Sequence, residues 1–94
     1  MNISHSETES KGAFRIMDDG ESEALAELTY SKAGKELIIL DHTEVSDKLR
    51  GKGAGEKLVR AAVDLAREKK VKIMPLCPFA NAMFKKHEEL RDVL

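Results

Sequence analysis

A glycine-rich loop joined to an amphipathic segment constrains the fold of this chain more than any other feature. Gly51, Gly53 and Gly55 alternate with other residues and lead into a stretch where apolar side chains recur at spacings of three and four. That spacing predicts a helix over Ala54–Lys69 with one buried face. Glycine adopts conformations that other residues avoid, so the loop lets the backbone come close to a ligand. The segment therefore predicts a helix whose N-terminus is open to a ligand.

The N-terminus of this helix is suited to an anion such as a pyrophosphate. Its first turn carries N–H groups without intrahelical partners, and the helix dipole adds positive potential there. Arg50 and Lys52 add positive charge. No Lys-Ser/Thr pair follows, so the loop is not a Walker A motif, and it does not match the dinucleotide pattern G-x-G-x-x-G. The alternative is a flexible turn with a glycine at the helix N-cap.

Five further segments have the pattern of β-strands or of a short helix. Alternating apolar and polar residues predict strands over Ala13–Asp18 and Ala24–Lys32, and four consecutive apolar residues predict a central strand over Glu36–Val45. Val71–Leu76 reads as a short strand after the long helix, and Phe79–Lys86 as a second helix. Short turns join the first three strands, so we expect an antiparallel meander and then a β-α-β unit with parallel strands. The predicted fold class is α+β, a mixed sheet in the order β-β-β-α-β-α.

Length and charge limit the domain organisation and the classes of function. The chain has 94 residues, with 16 basic and 17 acidic side chains and a net charge of −1. This length allows one small domain, which we expect over residues 13–94, preceded by a flexible polar arm over residues 1–12. The near-neutral charge argues against a nucleic-acid binder that works by bulk charge. The first residues do not resemble a signal peptide, and no apolar run reaches the roughly 20 residues of a membrane span. One unpaired thiol suits a reducing compartment, so we expect a cytoplasmic protein that does not bind membranes. A thin core and a half-open sheet allow a monomer, and a weak dimer could cover the sheet edge.

Cys77 is the one cysteine of the chain, which excludes an internal disulfide and a zinc site built from several cysteines. We expect no metal. Cys77 stands between a predicted strand and a predicted helix, directly before Pro78, a residue typical of the first helical position. At the helix N-cap the dipole favours the thiolate, which makes Cys77 a candidate nucleophile. The alternative is an inert buried thiol that fills a gap in the core.

His42 and Glu44 stand near the end of the central strand and are candidate proton acceptors. Residues two apart on a strand share a face, so both side chains could enter one cleft, with Asp41 and Thr43 pointing the other way. If the third and last strands are neighbours, either side chain could approach Cys77. The alternative is a pair of edge residues bonded to solvent or to the backbone.

Three motifs, in order, resemble the GNAT superfamily of N-acetyltransferases. The segment Arg50–Gly55 matches the acetyl-CoA loop R/Q-x-x-G-x-G/A of that superfamily. The strand before it ends in His42-Thr43-Glu44-Val45, and the last strand is followed by Cys77-Pro78-Phe79-Ala80, as in a minimal group of small single-domain members. The resemblance extends from about Phe14 to Val93.

The resemblance implies a fold in which the third and last strands splay apart and hold acetyl-CoA. The pantetheine arm would lie in that gap and pair with the backbone near Val45, and the pyrophosphate would lie on the N–H groups of the glycine loop. The thioester would then be near Cys77, a suspected acyl acceptor in the small group. The residues expected to contact CoA are Val45, Arg50, Gly51, Lys52, Gly53, Ala54, Gly55, Glu56 and Phe79, and those expected to act in catalysis are Cys77, His42 and Glu44.

The implied function is acetyl transfer from acetyl-CoA to an unidentified amine, either directly or through Cys77. Two departures from the family pattern bear on this expectation. Typical members carry a tyrosine on the last helix as the acid for the leaving thiolate, and here that helix carries Phe84. The helices that follow the first strand and form the amine site are also missing. The alternatives are a non-catalytic CoA- or acyl-CoA-binding module and an interaction domain that binds no coenzyme.

Overall fold

The computed structural model describes residues 2–20 and 22–94. Its elements are β1 (Ile3–Glu7), β2 (Lys11–Met17), β3 (Ala24–Ala33), β4 (Leu37–Val45), a 3₁₀ turn (Asp47–Leu49), α1 (Ala54–Lys69), β5 (Lys72–Pro75), α2 (Pro78–Lys86) and a C-terminal 3₁₀ helix (Glu88–Val93). The strands form one sheet in the order β1-β2-β3-β4-β5. The first four are antiparallel, and β5 runs parallel to β4.

The mixed α+β sheet expected from the sequence is confirmed, including the parallel pair. The helix predicted over Ala54–Lys69 has those bounds in α1. The strand predicted over Val71–Leu76 is β5, which is one residue shorter at each end. The long helix was predictable because its apolar spacing is regular and a glycine stands directly before its first residue.

The prediction of a flexible arm over residues 1–12 is wrong for the described residues. Ile3–Glu7 form β1 and pair with β2 along their whole length. On the core side, the His5 ring stacks on Phe14, with the ring centroids 4.3 Å apart. The polar composition of the segment concealed a strand, because its stability comes from contacts with neighbouring strands rather than from apolar residues of its own.

Glu7 ties the end of β1 to β3. Its carboxylate accepts a hydrogen bond of 2.7 Å from the Tyr30 hydroxyl and lies 3.1 Å from the Lys32 ammonium group. These two groups hold the pKa of Glu7 at about 2, below its usual value of 4.5. Burial, and then Glu7 itself, raise the pKa of Tyr30. The same hydroxyl lies 2.6 Å from His5 Nε2, so the one tyrosine of the chain is engaged with β1.

Both helices pack on the same face of the sheet. Alternate residues of β3 and of the first half of β4, such as Leu28 and Leu40, are buried there, because side chains alternate between the faces of a strand. The opposite face carries polar pairs, including Arg15 and Glu27, whose Nε and Oε2 atoms lie 2.6 Å apart. On the covered face, the start of α1 lies beside the end of β4. The buried side chains of α1 form one stripe: Leu58, Val59, Ala62, Val63 and Ala66.

The described part of the chain contains neither a membrane-spanning helix nor a cluster of metal-ligating side chains. No helix in it combines the length and the hydropathy needed to cross a membrane. Within residues 2–20 and 22–94, no three His, Cys, Asp or Glu side chains are grouped so as to hold a metal ion.

Candidate functional site

The backbone of the glycine loop is open at its two central glycines. Gly51 has a φ of 77° and Gly53 a φ of 72°, in the left-handed region that favours glycine. A Cβ on either residue would have no atom within 4 Å, so the surrounding space is free. Gly53 is the N-cap of α1, and the first intrahelical bond runs from Lys57 N–H to the Gly53 carbonyl. The N–H groups of residues 54–56 precede that bond and point out of the helix N-terminus.

Gly55 is held against the second helix. A Cβ on Gly55 would lie 2.4 Å from Cζ of Phe79, so the missing side chain makes room for the aromatic ring. Phe79 nevertheless keeps 37% of its surface exposed. The ring thus docks α2 onto the first turn of α1 and leaves one side free toward the loop.

A groove of about 320 Å³ lies between the glycine loop, the end of β4 and α2. It contains eight of the nine residues that the sequence predicts for CoA contact, and Lys52 is the one outside it. The sequence does not predict three other members of the groove, which are Ser46, Leu49 and Met83. The full lining is Val45, Ser46, Leu49, Arg50, Gly51, Gly53, Ala54, Gly55, Glu56, Phe79 and Met83.

The three unpredicted lining residues carry weak local signals. Ser46 caps the 3₁₀ turn by accepting the Lys48 N–H at 3.2 Å, a role typical of serine before a helical turn. Leu49 is a buried apolar residue within an otherwise polar stretch. Met83 lies four residues after Phe79 and so shares its face of α2. Only the serine cap could have been predicted with a defined role.

The charged side chains beside the loop are partly balanced. Arg50 Nη2 lies 2.7 Å from Asp47 Oδ1, and both side chains are exposed. Glu56, in the first turn of α1, accepts a hydrogen bond of 2.9 Å from Arg60 one turn later, which lowers the pKa of that carboxyl. His87 Nε2, at the end of α2, lies 3.4 Å from the other Glu56 oxygen. The negative charge of Glu56 is thus compensated by neighbours, and the helix N-terminus keeps its positive potential.

The parallel strands β4 and β5 separate in the middle of β4, as the family resemblance implies. Their pairing ends at Leu40↔Pro75, and the N–H groups of residues 76 and 77 both donate to the Leu40 carbonyl. β4 continues to Val45 beyond this point. Ser46 N–H bonds to Leu25 of β3, and alternate residues of an antiparallel strand bond to the same neighbour. The backbone groups of Thr43 and Val45 therefore turn away from β3, toward the gap.

Cys77 lies where the two strands separate. It is the N-cap of α2 with Pro78 at the start of the helix, which confirms its predicted position. Only 4% of the residue is exposed. Its thiol donates a hydrogen bond of 3.2 Å to the Thr43 hydroxyl. The side chain that approaches Cys77 from β4 is thus Thr43, which the sequence assigned to the opposite direction from His42 and Glu44.

His42 and Glu44 share a face, as expected, but the structure does not bring them to Cys77. His42 Nε2 lies 3.3 Å from Glu44 Oε1, and the side chains are 59% and 73% exposed. Thr43 is paired with the buried Leu28, so its neighbours along the strand point to the open face of the sheet. A bulge in β4 next to Leu40 also puts Asp41 on that open face, where Ser31 donates to it at 2.7 Å. Nothing in the sequence marks this bulge.

The chain is similar in sequence and in fold to known N-acetyltransferases. A family model described as GCN5-related N-acetyl-transferase matches residues 13–93. A GCN5-like protein from Staphylococcus aureus, solved by NMR, is 44% identical, and the superposition covers 98% of this chain and 87% of that one with a TM-score of 0.74. An aminoglycoside N-acetyltransferase in complex with CoA is 18% identical with a TM-score of 0.59, over 88% of this chain and 68% of that one, a likeness of fold.

Protein NATD1 is a more distant relative. The chicken (Gallus gallus) and human (Homo sapiens) proteins are each 36% identical over 62 residues, which is 66% of this chain. The match spans 56% of the chicken protein and 55% of the human one, just over half of each relative. The family model, by contrast, spans nearly all of the described domain, and the S. aureus fold agrees with it. The chain therefore belongs to the GCN5-related N-acetyltransferase family.

Proposed function

We propose that this protein is an acetyl-CoA-dependent N-acetyltransferase in which Cys77 accepts the acetyl group before an amine collects it. The observation that carries the proposal is the position of Cys77. It caps α2 at the point where β4 and β5 separate, two residues before Phe79 of the groove. The candidate nucleophile and one wall of the groove are thereby carried by the same helix, α2.

The groove fits the phosphate end of CoA. The N–H groups of residues 54–56 leave the helix toward it, and Gly51 and Gly53 leave free space for a close approach of phosphate oxygens. The pantetheine arm would extend along the backbone of Thr43 and Val45, which faces the gap between the strands. Bound in this way, acetyl-CoA would extend from the groove along the gap between β4 and β5 and would supply an activated acetyl thioester near Cys77.

The proposed reaction has two steps. The Cys77 sulfur attacks the acetyl carbonyl carbon, a new carbon–sulfur bond forms, and CoA leaves as the thiol with the proton that Cys77 released. A neutral amine then attacks the acetyl-cysteine, the carbon–sulfur bond breaks, and the proton lost by the amine returns the thiol to Cys77. The sum is one amide and one CoA thiol from one amine and one acetyl-CoA.

Two observations favour this route over direct attack by the amine. Phe84 occupies the helix position where a tyrosine acid would be expected, and it is 2% exposed in the core. The one tyrosine, Tyr30, is engaged by Glu7 and His5. A direct route would use His42 or Glu44 as the base, acting through water, and these side chains lie on the open face of the sheet. The covalent route needs neither the acid nor that base next to the thioester.

A non-catalytic CoA- or acyl-CoA-binding module is the second candidate. The described residues between β2 and β3 form a turn rather than the helices that build an amine site in larger family members. Such a module would keep the groove and would have no acceptor. The single cysteine suits a reducing compartment, so we also propose that either protein acts in the cytoplasm, as a monomer or weak dimer.

Binding and transfer separate these candidates. A CoA-binding protein gains about 2.7 kcal/mol of stability at a ligand concentration of 100 times Kd, which a thermal-shift assay with CoA detects. Radiolabelled acetyl-CoA offered with small amines and lysine peptides then tests for transfer. Labelled amine supports the enzyme, and a thermal shift without labelled amine or labelled protein supports the module. The absence of any thermal shift would contradict both.

A further inference from the structure

Thr43 contacts the candidate nucleophile although no motif assigns it a role. Its hydroxyl oxygen lies 3.2 Å from the Cys77 sulfur, and the two side chains come from residues 34 positions apart. Thr43 is half-buried on the covered face of β4, opposite the buried Leu28. The charged neighbours on the same strand, His42 and Glu44, pair with each other on the other face.

Both partners of this hydrogen bond, the Cys77 thiol and the Thr43 hydroxyl, are held in place by the fold. The backbone of Cys77 is held to β4 by its N–H group, which donates to the Leu40 carbonyl at 3.1 Å. Asn81 N–H donates to the Cys77 carbonyl at 2.9 Å and so holds the residue to the first turn of α2. Threonine is branched at Cβ, so its side chain has few rotamers in a strand. The fold itself therefore holds the thiol and the hydroxyl within hydrogen-bond distance of each other.

We propose that Thr43 is the positioning residue that prepares Cys77 for attack. A hydroxyl can both accept and donate a hydrogen bond. It accepts the hydrogen of the neutral thiol, as in this structure, and after rotation it donates its own hydrogen to the thiolate. Burial in an apolar core opposes the thiolate, and a hydrogen bond to an ionised group is stronger than one between neutral groups. Thr43 thus provides a hydrogen-bond partner for either form of the sulfur in a residue that is 4% exposed. The assignment rests on the proposed function in one respect, the use of Cys77 as the acyl acceptor.

A structural clip between β4 and α2 is the competing explanation, and the two explanations predict opposite changes in thiol reactivity. Loss of a clip loosens the site and leaves the reaction of a buried thiol with a small reagent unchanged or faster. Loss of a thiolate partner makes the same reaction slower. Iodoacetamide tests this directly, because the chain has one cysteine and the reaction needs no CoA.

The experiment compares the wild type with Thr43→Val, which keeps the shape of the side chain, and Thr43→Ser, which keeps the hydroxyl. Thr43→Ala is the second hydroxyl-free variant should Thr43→Val fail to fold, and circular dichroism checks all of them. At fixed neutral pH, we expect alkylation of Cys77 to be slower by about tenfold to a hundredfold in the hydroxyl-free variants, the range for loss of a hydrogen bond to an ionised group. Thr43→Ser is expected to react within severalfold of the wild type. Unchanged or faster alkylation in a folded Thr43→Val or Thr43→Ala variant would overturn the assignment.

Acetyl transfer gives the second readout. With acetyl-CoA and an amine found to be acetylated by the wild type, Thr43→Val is expected to lower kcat. The substitution changes only the side chain and keeps the Thr43 backbone that would face the pantetheine arm, so a thermal shift with CoA should persist. Slow alkylation in Thr43→Val, together with no acetylation of the wild type, would support the role of Thr43 toward the thiol and would contradict the proposed transferase. Normal kcat in Thr43→Val would overturn the role of Thr43 in a protein that still transfers acetyl groups.

Discussion

Phe79 lies against the backbone of Gly55 so closely that a Cβ on Gly55 would meet the ring at 2.4 Å. This contact joins the two helices at the point where the groove begins. Gly55→Ala is expected to push the ring aside and destabilise the fold by about 1–3 kcal/mol, the usual effect of overpacking. Chemical denaturation measures the change, and calorimetry with CoA measures the loss of binding.

The double variant Gly55→Ala with Phe79→Ala is the control for this contact. Without the ring, the added methyl group has no clash, and alanine stabilises a helix relative to glycine by about 1 kcal/mol. The two substitutions should therefore be strongly non-additive. Equal effects of Gly55→Ala with and without Phe79 would show that the contact does not control the site.

Gly53→Ala separates strain from binding. The residue has a φ of 72° and free space around it, so alanine is strained there but does not clash. We expect a loss of stability of about 1–2 kcal/mol, the usual cost of the left-handed region. CoA affinity should fall as well, because the N-cap of α1 faces the groove.

Gly34→Ala is the matched control. Gly34 has a φ of 74° and open space, but it lies in the turn between β3 and β4, away from the groove. We expect a similar loss of stability and unchanged affinity for CoA. A parallel fall in affinity in both variants would mean that the glycine loop has no special part in binding.

Glu7 gives the fold a specific sensitivity to acid. Its pKa is held at about 2 in the folded protein, below the usual 4.5, first by the Tyr30 hydroxyl and then by Lys32. A lowered folded pKa contributes stability above the unfolded value, and this contribution is lost as the pH falls from about 4.5 toward 2. Glu7→Gln should therefore be less stable than the wild type at pH 7, with the difference shrinking through that window.

Urea unfolding at a series of pH values measures this effect. Glu9→Gln, at an exposed position in the adjoining turn, is the control and should follow the wild-type curve. A constant difference between Glu7→Gln and the wild type from pH 7 down to 2 would contradict the ionic role of Glu7.

Restoring a tyrosine on the last helix tests whether the missing acid matters. Phe84 is 2% exposed within the core, so the hydroxyl in Phe84→Tyr would be buried away from the groove. We expect a loss of about 1–3 kcal/mol for an unpartnered hydroxyl and no gain in turnover. Faster acetyl transfer in Phe84→Tyr would instead favour direct attack by the amine with a tyrosine acid.

The glycine loop and α1 were predictable because their signals are local. A left-handed backbone requires glycine at Gly51 and Gly53, and the apolar spacing of Ala54–Lys69 allows few alternatives to a helix. The N-cap position of Cys77 followed from Pro78 for the same reason. Residues whose role depends on their own backbone conformation can be identified from the chain alone.

The missed features depend on distant partners. β1 is polar, and its order comes from Phe14 and Tyr30 on neighbouring strands. The environment of Cys77 depends on which face of β4 turns inward, and a shift of one residue in a strand exchanges its faces. The bulge at Asp41 makes such a shift, and the sequence carries no mark of it. For this reason Thr43, rather than His42 or Glu44, meets the thiol.

The central claim is that Cys77 carries the acetyl group. The most direct measurement is an intact-protein mass spectrum after incubation with acetyl-CoA without an amine, followed by peptide mapping. We predict a gain of about 42 Da, the mass of one acetyl group, on the peptide that contains Cys77. Hydroxylamine at neutral pH should remove it, as expected of a thioester, and Cys77→Ala should show no gain while still binding CoA. A wild type that acetylates amines but never gains this mass, or an equal gain in Cys77→Ala, would contradict the account.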